Sequence, residues 1–90
     1  MPDWSKAKYI GTFRHGSYTF EEDGYALFFG GASVGLAYAN LNGYYVCYPD
    51  GHDSWSDFDC NFLPVCKGDY VRFNGSGTTY YIEVYFIPFK

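Results

Sequence analysis

Residues that could do chemistry in this chain gather between positions 50 and 61. Asp57-x-Asp59-x-Asn61 carries the alternating oxygen ligands that open an EF-hand calcium loop. The sixth place of such a loop needs Gly for its sharp turn and the twelfth needs a bidentate Glu; here they are Phe62 and Gly68. The spacing therefore predicts a polar strand face, not a cation site. Asp50, His52, Asp53 and Ser54 hold the groups of a hydrolytic triad. Triads are assembled from residues remote in sequence around an oxyanion hole, so neighbours in one loop read as a turn built by Gly51 and its flanking Asp residues. Glu21 and Glu22 are adjacent, so an extended backbone points them apart, and they cannot form a glycosidase pair by themselves. Cys47, Cys60 and Cys66 are odd in number and lack zinc-knuckle spacing; His15 and His52 are far from them. All three read as reduced thiols, mostly buried. No catalytic set, metal site or cofactor is expected, and the chain reads as non-enzymatic.

Trp55 is the best ligand candidate. It shares the longest polar stretch with Asp50, His52 and Asp53, and an exposed indole offers a flat apolar face to a sugar ring while Asp and His bond hydroxyls. A Trp folded down over the end of the fold is the alternative, and both readings stay open.

The elements that must position these groups read as strands. Gly punctuates the chain, and no long segment carries a 3.6-residue apolar period. Short strands are expected at Ala7 to Ile10, Gly16 to Phe20 and Tyr25 to Phe29, the last a continuous apolar run that should be covered on both faces. Gly30-Gly31-Ala32-Ser33 should break it. Val34 to Leu41 and Tyr44 to Tyr48 flank Asn42-Gly43, the preferred type I′ hairpin pair, and Pro49 ends the second of them. Asp50 to Ser56 reads as a polar loop. Asp57 to Leu63 alternates strictly, with Asp57, Asp59 and Asn61 on one face and Phe58, Cys60 and Phe62 on the other. Lys67-Gly68-Asp69 is a tight turn leading to Tyr70 to Asn74, and Gly75-Ser76-Gly77 reads as a flexible hairpin turn. Thr78 to Phe89 has a core face (Tyr80, Ile82, Val84, Phe86) and a second face (Tyr81, Glu83, Tyr85, Ile87). The expected fold is all-β: one domain, residues 1–90, forming a compact antiparallel β-sandwich or jelly roll of about seven or eight short strands.

Composition bears on partners. The chain has 11 Tyr, 9 Phe and 2 Trp, while charged residues are 18%, below the usual ~25%. So much ring surface on a small body points to subunit interfaces or sugar-binding faces. Tyr81, Tyr85 and Ile87 are the expected interface residues, since copies of the chain could bury a stripe that a monomer leaves wet. With net charge −4 and six scattered Lys and Arg, there is no basic stripe for nucleic acid. Apolar runs are too short for membrane insertion, and no signal peptide is apparent.

Several pieces occur in an order that resembles a known family. Pro2-Asp3-Trp4-Ser5 stands near the start, followed by Tyr18-Thr19 with Asp23-Gly24-Tyr25. Then come Phe62-Leu63-Pro64-Val65 with Lys67-Gly68-Asp69, and last Phe86-Ile87-Pro88-Phe89-Lys90. Over nearly the whole chain these resemble the small C-terminal head domains of bacteriophage and prophage tail fibres and receptor-binding proteins. The resemblance implies a β-sandwich or jelly roll, a homotrimer, and a virion fibre tip, folded in the host cytoplasm, that adheres to a bacterial surface glycan or protein. Two departures matter. Residues 20–22 are Phe-Glu-Glu, where related heads often have small residues and Pro, and the iron-binding His-x-His pairs of some fibre tips are absent, so metal-stabilised trimerisation is not implied. A structural trimerisation or capping domain, or a small bacterial carbohydrate-binding β-domain, are the alternatives.

Overall fold

Aromatic and β-branched residues suit a pleated, half-buried surface, and this chain is almost wholly extended. The computed structural model describes residues 1–51 and 56–90 throughout, and residues 52–55 only as part of a strand. A 3-10 turn at Trp4–Lys6 precedes six strands: β1 (Lys8–Phe13), β2 (Gly16–Thr19), β3 (Gly24–Leu41), β4 (Tyr44–Cys47), β5 (Asp50–Val65) and β6 (Tyr70–Pro88). All pairings are antiparallel.

One ladder organises everything else. β3 has no charged residue and no Pro, so every backbone donor is free to pair and both faces tolerate burial. It pairs with β6 from Gly24↔Pro88 to Leu41↔Val71. The other strands flank this ladder in two sets. Beside residues 24–33 of β3 and 79–88 of β6 lie β5 and β1 respectively. Beside residues 39–41 and 70–73 lie β4 and β2, and the start of β5 reaches residues 35–36 of β3. The two four-stranded halves share one core. Phe28, Ile82, Val84 and Phe86 from the first half join Ala39, Leu41, Cys47, Val71 and Phe73 from the second, with Phe20 and Val65 between them. Phe13 of β1 stacks on Phe73 of β6 at 4.3 Å, a direct contact between the halves. The sheet is thus folded over on itself as a sandwich.

The all-β expectation holds, and each expected strand lies in extended chain. The difference is that two pairs of them are fused. Gly30-Gly31-Ala32-Ser33 does not break β3, and Gly75-Ser76-Gly77 is not a hairpin turn but lies within β6. The reason is backbone proximity at the fold line. A Cβ on Gly35 would collide with the Ser76 carbonyl oxygen, and one on Gly77 with that of Val34. These glycines allow two strands to cross closely while both bend. Val34 sits at the same place with φ of 53°. Asn42 (φ 51°) and Gly43 (φ 98°) form the expected hairpin turn. Lys67-Gly68-Asp69 is also a turn: Gly68 has φ of 93°, and the Cys66 N–H donates to Asp69 Oδ2 at 2.8 Å. It does not join neighbouring strands, because β3 lies between β5 and β6; it carries the chain from one half of the sandwich to the other.

Candidate functional site

Alternation along a strand sends successive side chains to opposite faces. In the first half of the sandwich, even-numbered β3 residues face the core and odd-numbered ones face out. Antiparallel register then places Tyr9 of β1, Tyr81, Glu83 and Tyr85 of β6, Tyr25, Leu27 and Phe29 of β3, and Phe58, Cys60 and Phe62 of β5 on one outward surface. The second half-sheet covers only the inner side, so no second sheet lies over these rings. Phe58 is 61% exposed, Trp4 57% and Tyr9 56%; Phe29, Phe62 and Phe89 are also exposed. They stack on one another at the surface. Phe62 lies between Trp4 (5.3 Å) and Tyr25 (5.0 Å), Tyr25 meets Phe89 edge-on at 5.2 Å, and Phe29 stacks with Phe58 at 6.2 Å. The chain's ends close this side: the Asp3 N–H donates to the Pro88 carbonyl at 2.8 Å and the Lys90 N–H to that of Met1 at 2.9 Å.

Several expectations change here. The run Tyr25 to Phe29 is covered on one face only, with Tyr25 and Leu27 half-buried and Phe29 exposed. Tyr81 and Tyr85 are half-buried on the outward surface. Tyr81 lies across Gly31, whose Cβ would come within 2.8 Å of the Tyr81 hydroxyl oxygen, and Tyr85 tilts against Tyr9 at 5.4 Å. Ile87 is fully buried by its own subunit, paired with Tyr25 where the N-terminal segment is bonded to Pro88, so it offers no surface to a partner. Cys60 and Cys66 are exposed; only Cys47 is buried.

The carboxylates near position 57 serve the backbone. Asp57 Oδ2 accepts the Asp50 N–H and Asp59 Oδ2 accepts the Tyr48 N–H, both at 2.8 Å, while Asn61 Nδ2 donates to the Val46 carbonyl at 3.0 Å. This polar row clasps β5 to the chain around β4 in the opposite half of the sandwich, and it explains why the apolar row Phe58, Cys60, Phe62 turns outward. Among the described residues no group of His, Cys, Asp and Glu could hold a metal ion. Asp50 is exposed and belongs to the β5 ladder opposite Leu36, not to a loop. Trp55, His52 and Asp53 lie outside the described residues. Glu21 and Glu22 are exposed, and Glu22 pairs with Lys8 at 3.8 Å. Burial, helped by these two carboxylates, raises the pKa of the Tyr18 hydroxyl, so that ring stays neutral. Burial, with the Asp59 carboxylate, pushes the Cys47 thiol up to about 12, so that thiol does not act as a nucleophile.

Sequence reasoning did not select Trp4, Phe58, Phe62, Phe29 or Phe89. The available signal was the match between the odd-numbered apolar row of residues 25–29 and the apolar row of residues 58–62, which become one surface once the strands are paired. Among the described residues no helix is long and apolar enough to cross a membrane. Comparison with protein-family models and with curated proteins finds no match.

Proposed function

We propose that this chain is a non-enzymatic adhesion module that assembles as a homotrimer, in the manner of a bacteriophage tail-fibre head, and recognises a glycan or protein on a bacterial surface. The observation that carries the reading is the outward aromatic surface of the first half-sheet. Exposed apolar patches above a few hundred Å² on a folded domain mark interaction sites, and six exposed rings on one side of the sandwich exceed what a lone subunit needs. Obligate interfaces are rich in aromatic residues, as this surface is. Trimeric presentation supports adhesion because three weak sites held together bind far more tightly than one. The scarcity of polar groups on the surface argues for self-association there, with recognition performed elsewhere on the subunit.

Solution mass is the direct test. Sedimentation equilibrium should give three times the 10.3 kDa subunit mass, and the trimer should adhere to intact bacterial cells of a susceptible host where a dissociated variant does not. A wild-type protein that sediments as one subunit would remove the assembly reading. A trimer that adheres to no cell wall would favour a purely structural capping domain.

A further inference from the structure

The outward surface of the second half-sheet has a different chemistry. Tyr38 and Asn40 of β3, Tyr45 of β4, and Tyr70, Arg72 and Asn74 of β6 line an open concavity of about 760 Å³, within the ~300–1,000 Å³ of small-molecule sites. Strand register sets the groups side by side: Tyr38 opposite Asn74, and Asn40 between Arg72 and Tyr45. No aliphatic side chain and no carboxylate lines the concavity.

Hydrogen-bond accounting shows what the walls can still offer. Asn40 Oδ1 accepts the Gly43 N–H at 2.9 Å, Asn42 Oδ1 the Tyr70 N–H at 3.1 Å, and Asn74 Oδ1 the Gly75 N–H at 2.8 Å. Each of these bonds fixes which way its amide points and so where the NH2 group is directed. The amide nitrogen of Asn42 donates to Asp69 Oδ1 at 3.0 Å. Those of Asn40 and Asn74 have no partner among the described residues, and neither does the Arg72 guanidinium have a carboxylate within ion-pair distance. The concavity therefore presents two unengaged amide donors and a positive charge, with the Ser17 and Tyr hydroxyls and the His15 imidazole beside them and no negative group, in a chain whose net charge is −4. A ligand that engages Arg72 and the two amide nitrogens brings oxygen acceptors and negative charge. Tyrosine rings supply flat walls against which a pyranose can lie. A planar guanidinium suits a carboxylate or phosphate, which it can engage through two parallel hydrogen bonds.

We infer that this concavity binds an anionic saccharide, a sugar ring bearing a carboxylate or a phosphate. Arg72 engages the anionic group, the amide nitrogens of Asn40 and Asn74 bond ring and hydroxyl oxygens, and Tyr38 and Tyr45 form the wall against the ring. The inference builds on the adhesive half of the proposed function and is independent of the trimer.

The test is NMR titration of the ¹⁵N-labelled protein with tri-galacturonate, glucose 6-phosphate, neutral maltotriose and inorganic phosphate alone. At least one anionic sugar should give saturable shifts at residues 38, 40, 72 and 74. Maltotriose and inorganic phosphate should bind at least about tenfold more weakly, as should the anionic sugar to Arg72→Gln, since a hydrogen bond to a charged group contributes about 1.5–3 kcal/mol. Arg72 is exposed, so the variant should melt with the wild type, and Arg72→Lys should recover part of the affinity. The two anionic arms decide between carboxylate and phosphate. Equal binding of maltotriose, equal binding of inorganic phosphate, or no saturable shift with either anionic sugar each overturns the inference. Saturable binding by a monomer would keep it while removing the trimer, and a trimer with a silent concavity would do the reverse.

Discussion

Phe58→Glu separates assembly from folding. Phe58 is 61% exposed, so roughly 120 Å² of it is wet if a whole phenylalanine presents about 200 Å². Covering that area in a trimer contributes about 3 kcal/mol per subunit at about 25 cal/mol per Å², or roughly a hundredfold in each association step. Replacing the ring with a carboxylate forfeits this and adds the cost of burying a charge in an apolar contact. Among the described residues the ring stacks only with Phe29, at 6.2 Å, so the fold should lose no more than about 1 kcal/mol. The expected result is a folded single subunit with near wild-type circular dichroism. Sedimentation velocity over a concentration series, paired with thermal melts, reads both quantities. An oligomer of unchanged mass would refute the assignment of this surface to self-association. A monomeric variant that is also unfolded would refute the claim that Phe58 contributes little inside the subunit.

Four further outcomes follow from the packing. Native protein treated with iodoacetamide should be alkylated at Cys60 and Cys66 and spared at Cys47, as peptide mass spectrometry would show; exposure of all three before unfolding would contradict the burial. Because the Cys47 thiol is pushed up to about 12 in the fold and an unfolded thiol ionises near about 8.5, its contribution to stability is complete below that lower value. It is lost as pH rises through the interval, so melting temperature should fall across the same range. Asp59→Ala removes an acceptor for the Tyr48 N–H and should cost about 2 kcal/mol in urea unfolding, with Asp59→Asn costing less. Val34 holds a left-handed φ and is partly exposed, so Val34→Gly should stabilise the protein by about 1 kcal/mol, whereas Gly77→Ala, which meets backbone, should destabilise it severely in the same assay.

Local signals in the sequence were legible where one short motif decides the geometry. Asn42-Gly43 specifies its turn because both residues must take positive φ, and Asp69 completes the Lys67-Gly68-Asp69 turn with a bond to its own backbone. The same residue type misleads where its role is long-range. Gly35 and Gly77 are small because two backbones cross there, a fact set by pairing across some forty residues and invisible in either segment alone. Alternation in Asp57 to Leu63 revealed two faces but not which one turns inward. That depends on the backbone N–H groups of Tyr48 and Asp50, which draw the carboxylates toward the interior and leave Phe58 and Phe62 outside. Ile87 matched the outward stripe by parity, yet it lies at the end where the two termini meet and is covered there. The concavity around Arg72 had no sequence signature, since its residues come from four strands and the turns between them.

The central ladder has a consequence for biosynthesis. β3 is complete at Leu41, but its main partner does not begin until Tyr70 and pairs through to Pro88. A nascent chain on the ribosome therefore carries a long, uncharged, apolar strand with one edge vacant until residues 70–88 have been made. Neither half of the sandwich can form first, because each takes its two central strands from the same two segments. Folding should be a single late event, slowed by the non-local closure, and polypeptides that stop before Tyr70 should be insoluble instead of partly structured.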